Sequence, residues 1–249
     1  MIYEQPLNEH SRLCLRLEYL LILLDQYTKL APDDHQAVKV ILEILQVIDR
    51  HDLKNKFLQN LIQYQQTLSS FNQATNIDQQ KLAIVLKQLN QLINELHTNQ
   101  KKIGKELREN EFLSAIQQRL YTPAGTCGFS MPAYQLWLRQ NSSYRKTQLL
   151  EWVSHLSIVR DIVNTSLKLI RESNLLKTAV TKSGFYQCNL DPNTSYQMIR
   201  IELPHDLNIF PEISVGRYRV TIHFFNFDIG GNHKQRTEEL EFKLSCCKL

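Results

Sequence analysis

A cysteine between two glycines is the residue in this chain whose surroundings most resemble those of a catalytic nucleophile. Cys127 lies in the stretch "QRLYTPAGTCGFSMP", between Gly125 and Gly128, in what reads as a tight turn after a helix. A thiol nucleophile needs a base beside it and surroundings that lower its pKa. The chain has eight histidines, but no signature ties any of them to Cys127. The pattern favours a small, buried cysteine that shapes a turn, and a thiol enzyme is the alternative.

Metal and phosphate sites lack their usual signatures. The five cysteines lie at positions 14, 127, 188, 246 and 247 and form no C-x-x-C pair. Cys246 and Cys247 are adjacent, so in a strand their thiols would point to opposite faces. The histidines do not cluster with them, and no glycine-rich phosphate loop occurs. We therefore expect free thiols, no metal and no cofactor.

Basic residues are concentrated in one part of the chain. From Arg139 to Ser183 there are eight Lys and Arg residues against three acids, a net charge of +5 in a chain whose total is +4. Such a segment is either a solvated helix face, which is the commoner case, or a surface for an acidic partner. A nucleic acid bound by the basic helix at 139–182 is one alternative. The sequence has no aromatic-interleaved platform and no recognisable nucleic-acid motif, so we expect no such partner.

A second basic feature lies in the segment "RYRVTIHFF", where the residues alternate as in a half-buried strand. One face carries Tyr218, Val220, Ile222 and Phe224, and the other carries Arg217, Arg219, Thr221 and His223. Arginines on a rigid sheet suit carboxylate recognition, because the guanidinium fork matches a carboxylate. The segment therefore predicts a basic surface that accepts an acidic partner.

Helices are predicted for the first two thirds of the chain. Glycine is absent before Gly104 and proline is absent from 33 to 122, and these residues most often interrupt helices. Apolar residues recur three and four apart behind residue types that cap helices. These helices open at Asn8, at Asp33 or Asp34, at Asp52 and at Asp78. Further helices are predicted over 105–120, from Pro132, and from Ser143 to about Ser173.

After Lys177 the sequence changes to short segments rich in β-branched and aromatic residues. They are separated by Asp-Pro, Gly or Gly-Gly, which predicts antiparallel strands over parts of 183–190, 196–203, 213–228 and 237–247. The class is therefore α+β. We expect a helical domain over 1–176 and a β-domain over 177–249. The Gly/Pro-rich segment near 121–132 is predicted to lend one strand to the sheet.

Composition is that of an ordinary soluble protein, with 43% hydrophobic and 22% charged residues in 249. The apolar run "YLLILL" at 19–24 is only six residues long, and the N-terminus lacks the pattern of a signal peptide. We therefore expect a cytoplasmic protein that does not enter a membrane.

Several short motifs, in order along the whole chain, resemble the ZapD family of Z-ring-associated bacterial cell-division proteins. The segment "PLNEHSRLCLRLEYL" at 6–20 is similar to the family's N-terminal signature. The stretch around Cys127 is similar to its central signature. The motifs "LWL" at 136–138, "LIR" at 169–171 and "SGFYQ" at 183–187, and the pair Cys246-Cys247, follow in the family's order.

The resemblance implies a helical domain joined to a β-domain, a homodimer and no enzymatic activity. It further implies binding to the C-terminal tail of FtsZ, the tubulin-like filament protein, and cross-linking of FtsZ filaments into bundles. The expected location is the cytoplasm, at the division site at midcell.

The resemblance also implies which residues receive the tail, because in the family that surface is basic and bears arginines. By position, Arg50 and Arg219 match those arginines. Arg108, Arg119 and Arg217 are further candidates, since they are basic and near in the pattern. His223 stands where relatives can carry a second arginine, and an imidazole with an ordinary pKa is mostly neutral at neutral pH.

Overall fold

The computed structural model describes residues 1–71, 78–99 and 101–249, and the α+β class is confirmed. The helices are α1 (Glu9–Asp25), α2 (Asp34–Ile48), α3 (Leu53–Ser69), α4 (Gln79–Thr98), α5 (Lys105–Arg108), α6 (Glu111–Leu120), α7 (Pro132–Leu138), α8 (Ser142–Ser154) and α9 (Ser157–Glu172). The strands are β1 (Ile2–Pro6), β2 (Lys177–Thr181), β3 (Phe185–Asn189), β4 (Tyr196–Glu202), β5 (Ile209–Val215), β6 (Arg219–Asn226), β7 (Lys234–Gln235) and β8 (Leu240–Lys248).

The chain forms two compact units. One is the helical unit, Leu13–Ser166, and the other is the strand unit, which combines Met1–Arg12 with Leu167–Leu249. The sequence predicts a division into 1–176 and 177–249, so the first twelve residues and the end of α9 belong to a different unit from the one expected. The N-terminal residues belong with the strands because β1 pairs with β4.

Side-chain caps explain where several helices begin. The Asn8 Oδ1 accepts a hydrogen bond from Ser11 N at 2.8 Å, and the Asp33 carboxylate accepts one from Gln36 N at 3.0 Å. Asp78 accepts bonds from the backbone of two residues, each at 3.1 Å. Asp52 precedes α3 as predicted but makes no cap bond, and its carboxylate pairs with Lys56 at 3.0 Å.

Two of the predicted helices are divided. The segment 105–120 forms α5 and α6, because the Asn110 side chain accepts a bond from Leu113 N at 3.0 Å and so starts a new helix. The segment 143–173 is interrupted at His155 and Leu156. Their backbone N–H groups bond to carbonyls three residues back, at 3.3 and 3.0 Å, which tightens the chain into a turn.

The predicted strand near 121–132 is not formed, and residues 121–131 make turns instead. Gly125 N bonds to Thr122 O at 2.9 Å, and the Cys127 carbonyl accepts bonds from the N–H groups of Ser130 and Met131, also at 2.9 Å. These local bonds occupy backbone groups that a strand would need for its ladder. Both sheets take their strands from elsewhere.

The strand unit contains two antiparallel sheets. The first has the order β1-β4-β8-β2, and the second has the order β3-β6-β5, with β7 also paired to β6. Inward side chains from both sheets share one hydrophobic core, which includes Ile199, Ile201, Ile222, Phe224 and Phe242. Neither β1 nor β2 was predicted, since neither is long or alternating enough to stand out in the sequence.

A glycine is required where the chain enters the second sheet. Gly184 lies between β2 and β3 with φ at +64°, a conformation that favours glycine. A Cβ atom there would lie 1.8 Å from the Arg236 carbonyl oxygen. The Gly184 carbonyl in turn accepts a bond from Phe224 N at 2.9 Å, so this tight turn helps to fix β3 beside β6.

One carboxylate joins three elements of the strand unit. The Glu4 Oε1 of β1 accepts hydrogen bonds from Arg171 Nε and Arg200 Nε, each at 2.9 Å, and its Oε2 accepts one from Arg171 Nη2 at 2.6 Å. Arg200 Nη1 also donates to the Arg171 carbonyl at 3.2 Å. The Glu4 and Arg200 side chains are each 14% exposed, so the group is largely shielded from water. We name these three residues the Glu4 clamp.

Replacing Glu4 by glutamine should destabilise the protein, because it removes the partly buried carboxylate that pairs with both Arg171 and Arg200. We expect a loss of about 2–3 kcal/mol in the free energy of unfolding, measured by urea denaturation. Glu202→Gln is the matched control, since it removes an exposed pair with Lys243 in the same sheet. That change should cost less than about 1 kcal/mol. Equal losses for the two variants would contradict a structural role for the Glu4 clamp.

Candidate protein-binding sites

The outward face of β6 carries the predicted strand arginine. Val220, Ile222 and Phe224 are fully buried, so the alternating residues Arg219, Thr221 and His223 point away from the core, as the sequence pattern predicts. Tyr218 was expected on the buried face, but it lies outside the strand and is exposed. It follows Arg217 in the turn between β5 and β6, where the chain reverses and alternation no longer applies.

Arg217 and Arg219 are available to a partner. Both are exposed, and within the ranges that the structure describes neither side chain makes an ion pair. The Arg217 guanidinium carbon lies 5.3 Å from the centre of the Tyr218 ring, a cation–π contact that leaves its N–H donors unused. Exposed guanidinium groups at the start of a strand and in the turn before it can bind an incoming carboxylate.

His223 lies further along the same face. Its neighbours across the sheet are Phe185 on β3 and Glu212 on β5. The Phe185 and His223 ring centres are 5.0 Å apart, so the imidazole packs against an aromatic ring and sits opposite an acid. Its surroundings therefore differ from those of Arg219.

In the helical unit, Arg50 and Arg108 come together at the end of α2. They line a pocket of about 100 Å³ with three lysines, Lys54, Lys101 and Lys102. Arg108 Nη2 donates to the Ile48 carbonyl at 3.2 Å, and its Nε lies 3.2 Å from the Asp49 carboxylate. A cation at a helix C-terminus satisfies carbonyls that have no partner within the helix. Arg108 therefore already caps α2, whereas Arg50 is exposed at the pocket.

Arg119 lies elsewhere in the helical unit. It belongs to the last turn of α6, and its Nη1 donates to the Ser130 carbonyl at 2.6 Å. This bond ties the end of α6 to the turns around Cys127, which gives Arg119 a local structural contact. It does not line the pocket of Arg50 and Arg108.

Three arginines of the basic segment from 139 to 182 form ion pairs with acids in the folded chain. Arg145 is ion-paired with Asp34, Arg160 with Asp25 at 2.6 Å, and Arg171 with Glu4 at 2.6 Å. The segment is also divided between α8, α9 and β2 and is not one helix. Both facts weaken the alternative of a nucleic acid bound along a single basic helix.

Cys127 shapes a turn as predicted, but it is exposed and not buried. Among the described residues, its hydrogen bonds run through the backbone, to the residues of the same turn. No group of three or more His, Cys, Asp or Glu side chains suited to a metal was found in the described part of the chain. Within the described residues, Cys127 therefore takes part in the geometry of its turn, and no hydrogen bond links its thiol to a base.

The five cysteines are free thiols, and two of them interact. Hydrogen bonding with Cys246 lowers the pKa of the Cys188 thiol to about 7, and the same interaction raises the pKa of Cys246. Cys247 points the other way and is fully buried, which agrees with the expected alternation along a strand. No pattern in the sequence indicated that Cys188 and Cys246 would meet.

Known proteins match this chain over nearly its whole length. Residues 15–223 match the family model of ZapD, described as a cell division protein. The chain belongs to the ZapD family. It is 43% identical over 251 residues to the cell division protein ZapD of Coxiella burnetii (strain RSA 331 / Henzerling II), an alignment that covers 99% of this chain and 97% of the relative. It is 33% identical over 249 residues to the cell division protein ZapD of Chromobacterium violaceum, with 99% and 98% covered.

Membership of the ZapD family supports a role in cell division. In the residues that the structure describes, no helix combines the length and the apolar character that crossing a membrane requires.

Sequence reasoning missed the aromatic residues that share a face with Arg219. Phe225 follows from the alternation in β6, because it lies six residues after Arg219. Phe185 and Phe210 come from the neighbouring strands β3 and β5, where register decides the face. A one-residue slip would turn either side chain to the core, so no signal within these strands alone could assign them.

Replacing Cys127 by alanine should leave the fold intact, because the thiol is exposed and its turn is held by backbone bonds. We expect a change of less than about 0.5 kcal/mol in the free energy of unfolding. Cys14→Ala is the control, since Cys14 is fully buried in α1 and should cost about 1 kcal/mol or more. In the folded wild type, Ellman's reagent should react with Cys127 and spare Cys14. A reaction at Cys127 far faster than at a cysteine in the unfolded chain would indicate an activated nucleophile instead.

Proposed function

We propose that this ZapD-family protein binds the C-terminal tail of FtsZ and, as a homodimer, cross-links FtsZ filaments into bundles that stabilise the Z-ring. It acts in the cytoplasm at midcell, as a binding protein without enzymatic activity, and it uses neither nucleic acid nor membrane as a partner. The observation that carries the proposal is the exposed Arg219 at the start of β6 with the exposed Arg217 in the preceding turn, neither ion-paired within the described residues, in a protein from a cell-division family.

An acidic tail segment would bind this surface through charge-assisted hydrogen bonds. Each guanidinium group offers two parallel N–H donors to a carboxylate, which gives orientation as well as attraction. The contrast with the arginines at 145, 160, 171 and 200 supports the choice, because each of those four already pairs with an acid of the same chain. Arg217 and Arg219 make no ion pair within the described residues, so they can bind a carboxylate of another protein.

Arg50 is the second proposed contact with the tail. It lies in the helical unit beside three lysines that line the same pocket, so the local charge favours an acidic group there. Arg108 and Arg119 are further candidates, and each also donates to a backbone carbonyl. Arg50→Glu tests this contact separately from the strand arginines.

Cross-linking follows from valency. A dimer carries two tail sites and can hold two filaments, and many weak sites along a polymer raise the overall avidity without any new contact. Each single site can then be weak, and a bundle can still form and dissolve quickly.

Arg219→Glu should abolish bundling and leave the fold unchanged. The substitution places a negative charge where the tail carboxylate would bind, and exposed substitutions usually cost under about 0.5 kcal/mol of stability. The measurement is co-sedimentation with FtsZ filaments at low centrifugal force, with full-length FtsZ and with FtsZ that lacks its tail. Lys168→Glu is the matched control, because it makes the same change in charge at an exposed position of α9.

The control variant should bundle filaments as the wild type does, and tail-less FtsZ should not be bundled by either protein. Undiminished bundling by a folded Arg219→Glu variant would move the tail site away from this strand. Bundling of tail-less FtsZ by the wild type would exclude the tail as the partner.

Light scattering at micromolar concentration should give a mass twice the 29.3 kDa of one chain. A monomer has one copy of each site and cannot join two filaments through their tails. A protein that is monomeric under conditions where it still bundles filaments would refute cross-linking by a dimer.

A further inference from the structure

Two thiols from different sheets of the strand unit face each other. Cys188 lies on β3 opposite Val220, and Cys246 lies on β8 opposite Ile199. Directly opposed residues of an antiparallel pair point to the same face, and both Val220 and Ile199 are fully buried in the core that the two sheets share. Both thiols therefore point inward, one from each sheet, and a hydrogen bond joins them.

The pair lies in a part of the core that small molecules in solution can reach. Cys188 and Cys246 are each only partly buried, whereas Cys247, the remaining cysteine of the strand unit, is fully buried. Cys247 also lies on the opposite face of β8, away from Cys188. A small oxidant can therefore reach the facing thiols without unfolding the sheets, and Cys246 is the thiol that Cys188 contacts.

The two facing thiols differ in reactivity. Hydrogen bonding with Cys246 lowers the pKa of Cys188 to about 7, and the same contact raises the pKa of Cys246. At neutral pH a large share of Cys188 is therefore thiolate, which is the form that reacts with oxidants. A thiolate beside a second thiol is the arrangement in which oxidation ends at a disulfide and does not proceed to higher oxides.

We propose that Cys188 and Cys246 are a reversible oxidation site, at which hydrogen peroxide forms a disulfide that cross-links the two sheets of the strand unit. This inference goes beyond the proposed function and does not rest on it. In a reducing compartment the two thiols are the resting state, and the disulfide forms when the concentration of oxidant rises.

The reaction has two steps and consumes one molecule of peroxide. The Cys188 thiolate attacks one peroxide oxygen, the O–O bond breaks, and the leaving hydroxide takes up the proton that Cys188 had released. The products are a sulfenic acid and water. The Cys246 sulfur then attacks the Cys188 sulfur, the S–O bond breaks, and the leaving hydroxide takes the Cys246 proton to give a second water. The thiols together lose two electrons and two protons, and a dithiol reductant restores both by exchange.

The disulfide would join strands that no backbone ladder connects. β3 belongs to the second sheet and β8 to the first, so only side-chain packing holds them together in the reduced protein. The cross-link lies beside the start of β6, because Asn189 follows Cys188 and lies opposite Arg219. Leu190 N also bonds to the Tyr218 carbonyl at 2.7 Å. Oxidation should therefore reduce local opening of the sheets at this end.

The test begins with the folded, full-length protein and a small molar excess of hydrogen peroxide. Remaining thiols are blocked with N-ethylmaleimide, and the protein is digested with trypsin without reductant. Trypsin releases Cys188 in the peptide 183–200 and Cys246 in the peptide 244–248. Mass spectrometry should show these two peptides linked as the main oxidised product, and dithiothreitol should return both to free thiols.

Variants identify the partner of Cys188, because the peptide 244–248 also contains Cys247. Cys246→Ala should lose the link, and Cys247→Ala, the matched control, should keep it. Fragmentation of the linked wild-type peptides assigns the same sulfur without any variant. A link to Cys247, or from Cys188 to Cys127 of another chain, would overturn the proposal. A Cys188 thiol that stays reduced in wild type while Cys127 is oxidised would overturn it as well.

Hydrogen–deuterium exchange shows whether the bond holds the sheets together. After oxidation, deuterium uptake by β3 and β8 should fall at least about twofold, and uptake by α2 in the helical unit should not change. Cys188→Ala treated with peroxide in the same way should show no decrease. Unchanged uptake by both strands in oxidised wild type, or an equal decrease in Cys188→Ala, would overturn the cross-link between the sheets.

Discussion

The strand unit depends on one largely shielded carboxylate held between two guanidinium groups. The Glu4 clamp joins the first strand of the chain to the end of α9 and to β4. β4 pairs with β8, and β8 pairs with β2, so the register of the whole first sheet is tied to this point. The second sheet shares its core with the first. The outward orientation of alternate β6 residues therefore depends indirectly on contacts between residues about 200 positions apart in sequence.

Long-range contacts of this kind mark the limit of what the sequence could predict. The α+β class, the caps at Asn8, Asp33 and Asp78, and the alternation in β6 follow from local rules, and the structure agrees with each. β1 could not be predicted, because "IYEQP" has no periodicity and becomes a strand only through pairing with β4. The predicted strand near 121–132 was wrong for a related reason. Its glycines and proline mark a turn equally well, and local bonds decided the outcome.

The candidate site shows the same division between local and long-range information. Counting charges along the chain singled out 139–183, but acids distant in sequence neutralise Arg145, Arg160 and Arg171. A charge count contains no information about such pairing. Alternation within one strand correctly placed Arg219 on an exposed face, because it depends only on neighbouring residues. The aromatic neighbours of that face needed the register of three strands, which no single segment specifies.

A reversible cross-linker of the proposed kind needs both charged and apolar contacts with its ligand. Exposed ion pairs contribute at most about 1 kcal/mol each and are screened within roughly 8 Å at physiological ionic strength. An arginine site alone would therefore bind fast but hold a tail poorly in the cell. Apolar burial adds about 25 cal/mol per Å² and depends little on salt, but it provides little direction. In the proposed complex, arginines would orient the tail and apolar contacts would retain it. Each contact would stay weak enough to release, while repetition along a filament would make the assembly strong.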